Sequence, residues 1–255
     1  MRAIISDIHG NLEALEKVLA DIKSKGADEI ICLGDLIGYG PDPASCVDFA
    51  REWKTVLRGN HDEAVVNEAY GFNPVAREAI EWTRSQLRPG LFSSSAKKRR
   101  WDFLRNLPPM HQEDSFVLVH GSPRDPTMEY ILRADTEDLL GEIPAKIRDI
   151  FSRFPKICFV GHTHDPGIIT EDSKFISPRE MEGSQFSLTE GAKYVVNVGS
   201  VGQPRDGDNR ACYVTFDGKV IAYHRVPYDF EATKRKILAV PPLDPRIGER
   251  LGYGR

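Results

Sequence analysis

No run in this sequence approaches the roughly 18 apolar residues that a membrane-spanning helix needs, so no membrane partner is expected. The opening residues form a short apolar stretch ending in Asp7, which lacks the pattern of a secretory signal. Cysteine is sparse: Cys32, Cys46, Cys158 and Cys212 stand apart, with no CxxC spacing. That argues against a disulfide framework or a cysteine-held zinc, and the thiols read as reduced core residues of a cytoplasmic protein. Neither sign of charge dominates, with a net charge of -4, so nucleic acid is not indicated as a partner. There is no internal repeat and no long low-complexity segment. What is there, 255 residues with 40% hydrophobic and 28% charged, suits one large α/β domain or one domain with an insert.

The first apolar run, Ala3 to Ile5, delivers Asp7 and His9 to its end, and Gly10-Asn11 turns the chain into a helix. If the backbone stays extended, residues two apart face one way, so Asp7 and His9 are expected to share a pocket. Asn11 is a plausible N-cap for a helix carrying Leu12, Leu15, Leu19 and Ile22, and Gly26 stops it. Glu29 to Leu33 reads as a strand ending in Gly34-Asp35. A helix opening near Pro43 follows, and then Thr55 to Leu57 as a third strand ending in Arg58-Gly59-Asn60-His61-Asp62. This alternation predicts a largely parallel sheet with helices outside it. Residues from about 64 to 110 read as a helical insert. Strand-like runs resume at Phe116–Val119, ending in His120-Gly121, and at Ile157–Val160, ending in Gly161-His162-Thr163-His164, with mostly helix expected over Asp135–Phe154. Beyond residue 167 short alternating strands predict a second, more antiparallel sheet, with a hairpin at Asp217-Gly218. The main domain is expected over 1–228. Residues 229–255 would add a helix (about Glu231 to Leu238) and a tail that packs on the same body or reaches a neighbouring copy, so a homo-oligomer stays open.

Five strand-like runs thus end in side chains able to hold a metal: Asp7 with His9, Asp35, Asn60 with His61, His120, and His162 with His164. Each alone is as well explained by ordinary hydrogen bonding. Together they place five of the seven histidines at one sheet edge, leaving out His111 and His224. Carboxylate, imidazole and amide ligands without cysteine favour an open catalytic site for Mn, Fe, Co, Ni or Zn over a closed structural zinc. Seven ligand candidates, His61 set aside, are too many for one ion and right for two. A shared carboxylate, best Asp35, would bridge ions about 3.5–4 Å apart.

Asp7-x-His9, Gly34-Asp35, Gly59-Asn60-His61-Asp62, Val119-His120-Gly121 and Gly161-His162-Thr163-His164 resemble the calcineurin-like metallophosphoesterase superfamily, its smaller prokaryotic phosphodiesterases above all. The resemblance implies a four-layer α/β/β/α sandwich of two mixed sheets with flanking helices. It also implies two divalent transition-metal ions, with manganese favoured. Asp7, His9, Asp35 and His164 would hold one; Asp35, Asn60, His120 and His162 would hold the other. It implies hydrolysis of phosphate esters by a metal-bridging hydroxide, with His61 protonating the leaving oxygen. Asn60 would also touch the substrate.

The sequence departs from the Ser/Thr protein phosphatases of that superfamily, which follow the bridging aspartate with Asp-Arg. Here Leu36-Ile37-Gly38-Tyr39-Gly40 follows. Orientation of His61 then falls to Asp62 or to a backbone carbonyl, and phosphodiesters or nucleotide-derived esters are favoured as small-molecule substrates. A phosphomonoesterase, a protein phosphatase and a non-catalytic scaffold of the same fold are the rivals. Arg205, in the Gly-rich run Asn197–Asp206, is expected either to meet a phosphate oxygen or to pair with Asp206 or Asp208. Tyr70, Phe72, Trp82, Trp101 and Phe103 of the insert would stack a base only if the insert caps the cleft, and ordinary burial is the simpler expectation. Lys97 to Arg100 reads as a solvated helix face, or at best a weak polyanion patch.

Overall fold

The structure, a computed structural model, describes residues 1–138 and 141–255. In chain order the elements are β1 (Arg2–Ile5), α1 (Leu12–Ser24), β2 (Glu29–Cys32), α2 (Pro43–Ala50), β3 (Thr55–Val56), α3 (Asn60–Val66), α4 (Pro74–Leu87) and α5 (Ser95–Arg105). They continue with β4 (Met110–Gln112), β5 (Phe116–Val119), α6 (Ala145–Phe151), β6 (Ile157–Val160), β7 (Gly167–Thr170) and β8 (Phe175–Ile176). The last are β9 (Gln185–Ser187), β10 (Tyr194–Asn197), β11 (Ala211–Phe216), β12 (Val220–Val226), α7 (Phe230–Leu238) and α8 (Pro245–Glu249).

The strands form two six-stranded mixed sheets, ordered β3-β2-β1-β11-β12-β9 and β4-β5-β6-β10-β7-β8. Side-chain alternation divides each strand between two cores. Ala3 and Ile5 of β1 face α1 and α2, whereas Ile4 joins Phe116, Leu118, Phe159, Val196 and Val214 between the sheets. On the far side Val117, Val119, Cys158, Val160 and Val195 pack on Ile147 and Ile150 of α6. The result is helix, sheet, sheet, helix. Because both faces of these strands are covered, they read as unbroken apolar runs.

The division of strands between sheets differs from the expectation. β5 and β6 build the second sheet, joined by β10 in parallel. The late hairpin β11–β12 instead returns to the first sheet and pairs antiparallel with β1, Arg2 opposite Phe216. Sequence periodicity shows that a strand is buried on both faces but carries nothing about which edge it joins. A second correction concerns Asp135–Phe154, where, among the described residues, α-helix is confined to α6 after a short 3₁₀ turn at Arg133–Thr136. Gly141, with φ 73°, and Pro144 break the pattern, and residues 139 and 140 of that span lie outside the described residues.

α7 packs beside α1, where Thr233 donates to Asn11 and Glu13, and Lys236 pairs with Glu13 at 2.5 Å and Asp42 at 2.8 Å. Beyond α7 the chain is not a loose tail: α8 and a 3₁₀ turn at Arg250–Tyr253 pack Ile247 and Leu251 against Ala76, Ala79 and Tyr39. Among the described residues no helix is long and apolar enough to cross a membrane.

Candidate metal centre

Parallel strands end on one side, so the segments leaving β1, β2, β3, β5, β6 and β10 meet at a single edge. Backbone hydrogen bonds zip these segments together past the strands: Asp7 N–H to Gly34 O (3.0 Å), His9 N–H to Asp35 O (2.9 Å), Gly161 N–H to His120 O (2.9 Å) and Gly202 N–H to Asp7 O (2.9 Å). The fit leaves no room for side chains at some positions. A Cβ on Gly59 would lie 2.1 Å from Asp35 Oδ1, and one on Gly38, whose φ is +91°, 2.4 Å from His61 Nδ1.

All seven expected metal ligands converge here and are buried. The route differs from strand alternation, however. β1 stops at Ile5, and Asp7 and His9 stand on left-handed backbone with φ of 55° and 50°; His162 and His164 do the same at 65° and 60°. Asp7 Oδ1 is 3.1 Å from His164 Nε2 and 3.8 Å from His9 Nε2. His120 Nε2 is 3.0 Å from Asn60 Oδ1 and 3.1 Å from His162 Nδ1. Asp35 Oδ2 lies between the two groups, 3.6 Å from His9 Nε2 and 3.4 Å from His120 Nε2.

The tautomers test whether a cation fits. His164 Nδ1 can only donate to Gln203 O (2.5 Å), and His9 Nδ1 only to Ile37 O (3.3 Å), because a carbonyl oxygen has no proton. Both Nε2 atoms therefore carry lone pairs, yet they face each other at 3.2 Å. His162 repeats the arrangement: Nε2 donates to Met128 O, leaving Nδ1 bare toward His120. Lone pairs and carboxylates aimed at common points are what a divalent cation resolves. Titration tells the same story. Burial disfavours charge on His120, but Asp35 and Asp7 outweigh it and push its pKa up to about 9. Burial and the neighbouring His120 hold His162 down at about 3. Burial opposes the charged form of Asp35 too, yet His120 and the other histidines keep its carboxyl well below the usual range. The residues present fit a metal site.

His61 opens α3 on its first turn. Its backbone N–H donates to Asp35 Oδ1 (2.8 Å), and its ring packs on Tyr39 (4.5 Å), His9 (4.9 Å) and Phe72 (5.0 Å). Nδ1 has no partner among the described residues, and burial brings its pKa down to about 4. Asp62 or a backbone carbonyl was the expected partner of this ring, and Nδ1 meets neither among the described residues. Asp62 Oδ2 instead accepts the Gly59 N–H (3.0 Å) as a cap of α3, and its Oδ1, like His61 Nδ1, has no hydrogen-bond partner among the described residues. A carboxylate on the third residue of a helix is drawn back to the free N–H groups of the first turn. What fixes His61 is ring packing.

Among the described residues Arg205 forms no ion pair with Asp206 or Asp208. Its Nη2 and Nε donate to Gln203 Oε1 (2.7 and 3.3 Å), and it lines the cleft with Asp35, Asn60, His61 and His162. Asp206 and Asp208 are taken by Arg225 and Arg210. Of the insert aromatics only Phe72 reaches the cleft; Trp101 and Phe103 pack on the core, Trp82 lies under the C-terminal turns, and Tyr70 is exposed. Arg100 pairs with Asp48 at 2.5 Å.

Two residues of the cleft, and one that backs it, were not singled out from sequence for it. Tyr39 is buried against His9 and His61 and is covered from outside by the Arg250 guanidinium, 4.6 Å from its ring centre. Tyr39 sits between Gly38 and Gly40 at φ 63°, a sequence context that marks an unusual backbone but not its target. Tyr130 stacks on His162 at 3.7 Å from an irregular segment after β5, and nothing in its sequence context signals it. Arg250 arrives from the C-terminal turn, 211 positions beyond Tyr39, with Nε and Nη2 buried and unpartnered among the described residues.

Comparison with known proteins bears directly on this arrangement. The family model for calcineurin-like phosphoesterases matches residues 2–195. The crystal structure of a metallophosphoesterase from Sphaerobacter thermophilus is 36% identical and superposes with a TM-score of 0.81, covering 100% of this chain and 98% of that one. An uncharacterized protein of Methanocaldococcus jannaschii is 36% identical over 265 residues, again 100% of this chain and 98% of the relative. A symmetrical bis(5'-nucleosyl)-tetraphosphatase of Methylobacillus flagellatus is 30% identical over 120 residues, 46% of this chain and 41% of that enzyme.

Proposed function

Because the chain belongs to the calcineurin-like phosphoesterase family, and so is a metal-dependent phosphoester hydrolase, we propose that it cleaves phosphodiesters or nucleotide-derived esters at a centre for two divalent ions. The observation that carries the reading is the place of Asp35 Oδ2, 3.6 Å from His9 Nε2 and 3.4 Å from His120 Nε2, with a separate donor cluster on either side. Asp7, His9, Asp35 and His164 would hold one ion; Asp35, Asn60, His120 and His162 the other. Manganese is the favoured metal. When bound, such ions supply Lewis acidity toward the phosphoryl oxygens and an acidified water.

The chain's own groups have the remaining work. Asn60 and Arg205 line the cleft from opposite segments and orient non-bridging phosphate oxygens, Arg205 through the N–H groups that Gln203 does not occupy. His61 stands beside the ligands and delivers a proton to the leaving oxygen; the negative charge of a bound phosphoester favours the imidazolium that burial alone disfavours. Asp62 serves the same residue indirectly, by fixing the first turn of α3. Where the Ser/Thr phosphatases carry Asp-Arg, this chain buries Leu36 and Ile37 completely, so that grip on a phosphomonoester is absent from this position. The partial relatives named as dinucleoside tetraphosphatases add support for a nucleotide substrate. The test is turnover of bis-p-nitrophenyl phosphate against p-nitrophenyl phosphate with added Mn²⁺, alongside metal analysis. Diester preference with about two ions per chain is expected; monoester preference would favour a phosphomonoesterase. Metal binding with no ester hydrolysed would return the scaffold reading.

A further inference from the structure

The cavity among the ligands measures about 120 Å³, well below the roughly 300 Å³ at which pockets begin to enclose a drug-sized ligand. A phosphoryl group would take up much of it, so the organic part of the substrate lies against its rim. On the His61 side that rim is Phe72 of the insert; on the His162 side it is the segment carrying Met128 and Tyr130. The Tyr130 ring lies nearly flat on His162, with centroids 3.7 Å apart and planes 19° apart. One face is thereby covered, yet the residue stays 43% exposed and lines the cleft. Met128, which lines the same side of the cleft, is 44% exposed, so the wall beside the ring is apolar.

We infer that Tyr130 is the platform on which a planar aromatic part of the substrate, a nucleobase, stacks while its phosphate sits among the ligands. The inference rests on the phosphoester reading above and narrows it to nucleoside esters. A base continues the stack His162–Tyr130 outward at ordinary ring spacing, and stacking accepts any base because each has a π-face. A sugar phosphate would want hydroxyl partners, which the Met128 thioether and the ring face of Tyr130 supply poorly. Phe72 closes the slot from the other rim.

The test uses the full chain loaded with Mn²⁺ and two diesters that share a leaving group: the p-nitrophenyl ester of thymidine 5'-monophosphate and ethyl p-nitrophenyl phosphate. The readout is the ratio of their kcat/KM values in the native chain, Tyr130→Ala and Tyr130→Phe. The native chain is expected to prefer the nucleoside ester. Alanine should lower that ratio roughly 5- to 150-fold, mainly through KM, as loss of one stacking platform does, and phenylalanine should retain it. No preference in the native chain overturns the inference. So does an equal loss on both esters in Tyr130→Ala, which would make the ring only a support for His162. If neither ester is cleaved, the diester reading fails by itself, and calorimetry decides the platform. Thymidine 5'-monophosphate binding at least tenfold tighter than inorganic phosphate, in a manner lost with alanine and kept with phenylalanine, upholds it. Equal binding of the two overturns it.

Discussion

Asp7, His9, Asp35, Tyr39, His162 and His164 all stand on backbone with positive φ, between 50° and 65°. Such a conformation costs a non-glycine residue about 1–3 kcal/mol, and the loop-to-loop hydrogen bonds from Asp7 and His9 help to offset it. Which side chains meet at this edge was legible in sequence because metal-competent residues recur after five apolar runs. Their geometry was not: alternation along a strand suggested a shared pocket, whereas tight left-handed turns create it. Asp35→Ala should drop metal content from about two ions to none, read by elemental analysis. A single ion retained would show that Asp35 is not shared. His61→Ala should slow esters with poor leaving groups by about 10²–10⁴ with metal content near native. His9, Asp35 and His61 also form a tight group, so an emptied site in that variant would recast His61 as a ligand.

Elements were easier to read than their partners. α1 begins at the expected cap, Asn11, whose side chain accepts from Ala14 N–H (3.1 Å) and donates to Gly202 O (2.8 Å). Its third contact, from Thr233 of α7, spans 222 positions and has no trace in local sequence. Asn11→Ala removes a cap worth about 1 kcal/mol and strands buried partners at about 1–3 kcal/mol, so urea unfolding should show a loss of about 2–4 kcal/mol. A loss below 1 kcal/mol would mean the partners find water. In the β11–β12 hairpin, His224 Nε2 meets Thr215 Oγ1 at 2.8 Å, and burial with nearby Lys25 lowers its pKa to about 4. Unfolding returns it toward about 6.5, so the unfolded chain gains a proton first. The stabilisation is full above about pH 6.5 and is lost as pH falls toward 4. His224→Gln should therefore flatten the fall in Tm between pH 7 and 4.5; an unchanged slope would assign that fall to other groups.

Across the whole molecule, the proposed ligands come from segments of both sheets, so ions bound there would tie the two halves of the sandwich together. Metal that binds only the folded chain stabilises it by about 2.7 kcal/mol at a hundredfold excess over Kd. Chelation should accordingly lower Tm, and Mn²⁺ should restore it in a concentration-dependent way; a Tm indifferent to both would speak against a preformed centre. The four-layer architecture was legible from the family resemblance and the doubly buried runs. The return of β11 and β12 to the first sheet was not, since edge choice depends on partners hundreds of positions apart. Nor was the seat of Arg250 upon Tyr39, the ring that props His9 and His61. Proteolytic loss of that arginine would leave each proposed metal ligand in place while uncovering the ring behind them. A preparation can thus fade in activity though its metal assay reads unchanged, and intact-mass measurement, not elemental analysis, is where the damage will show.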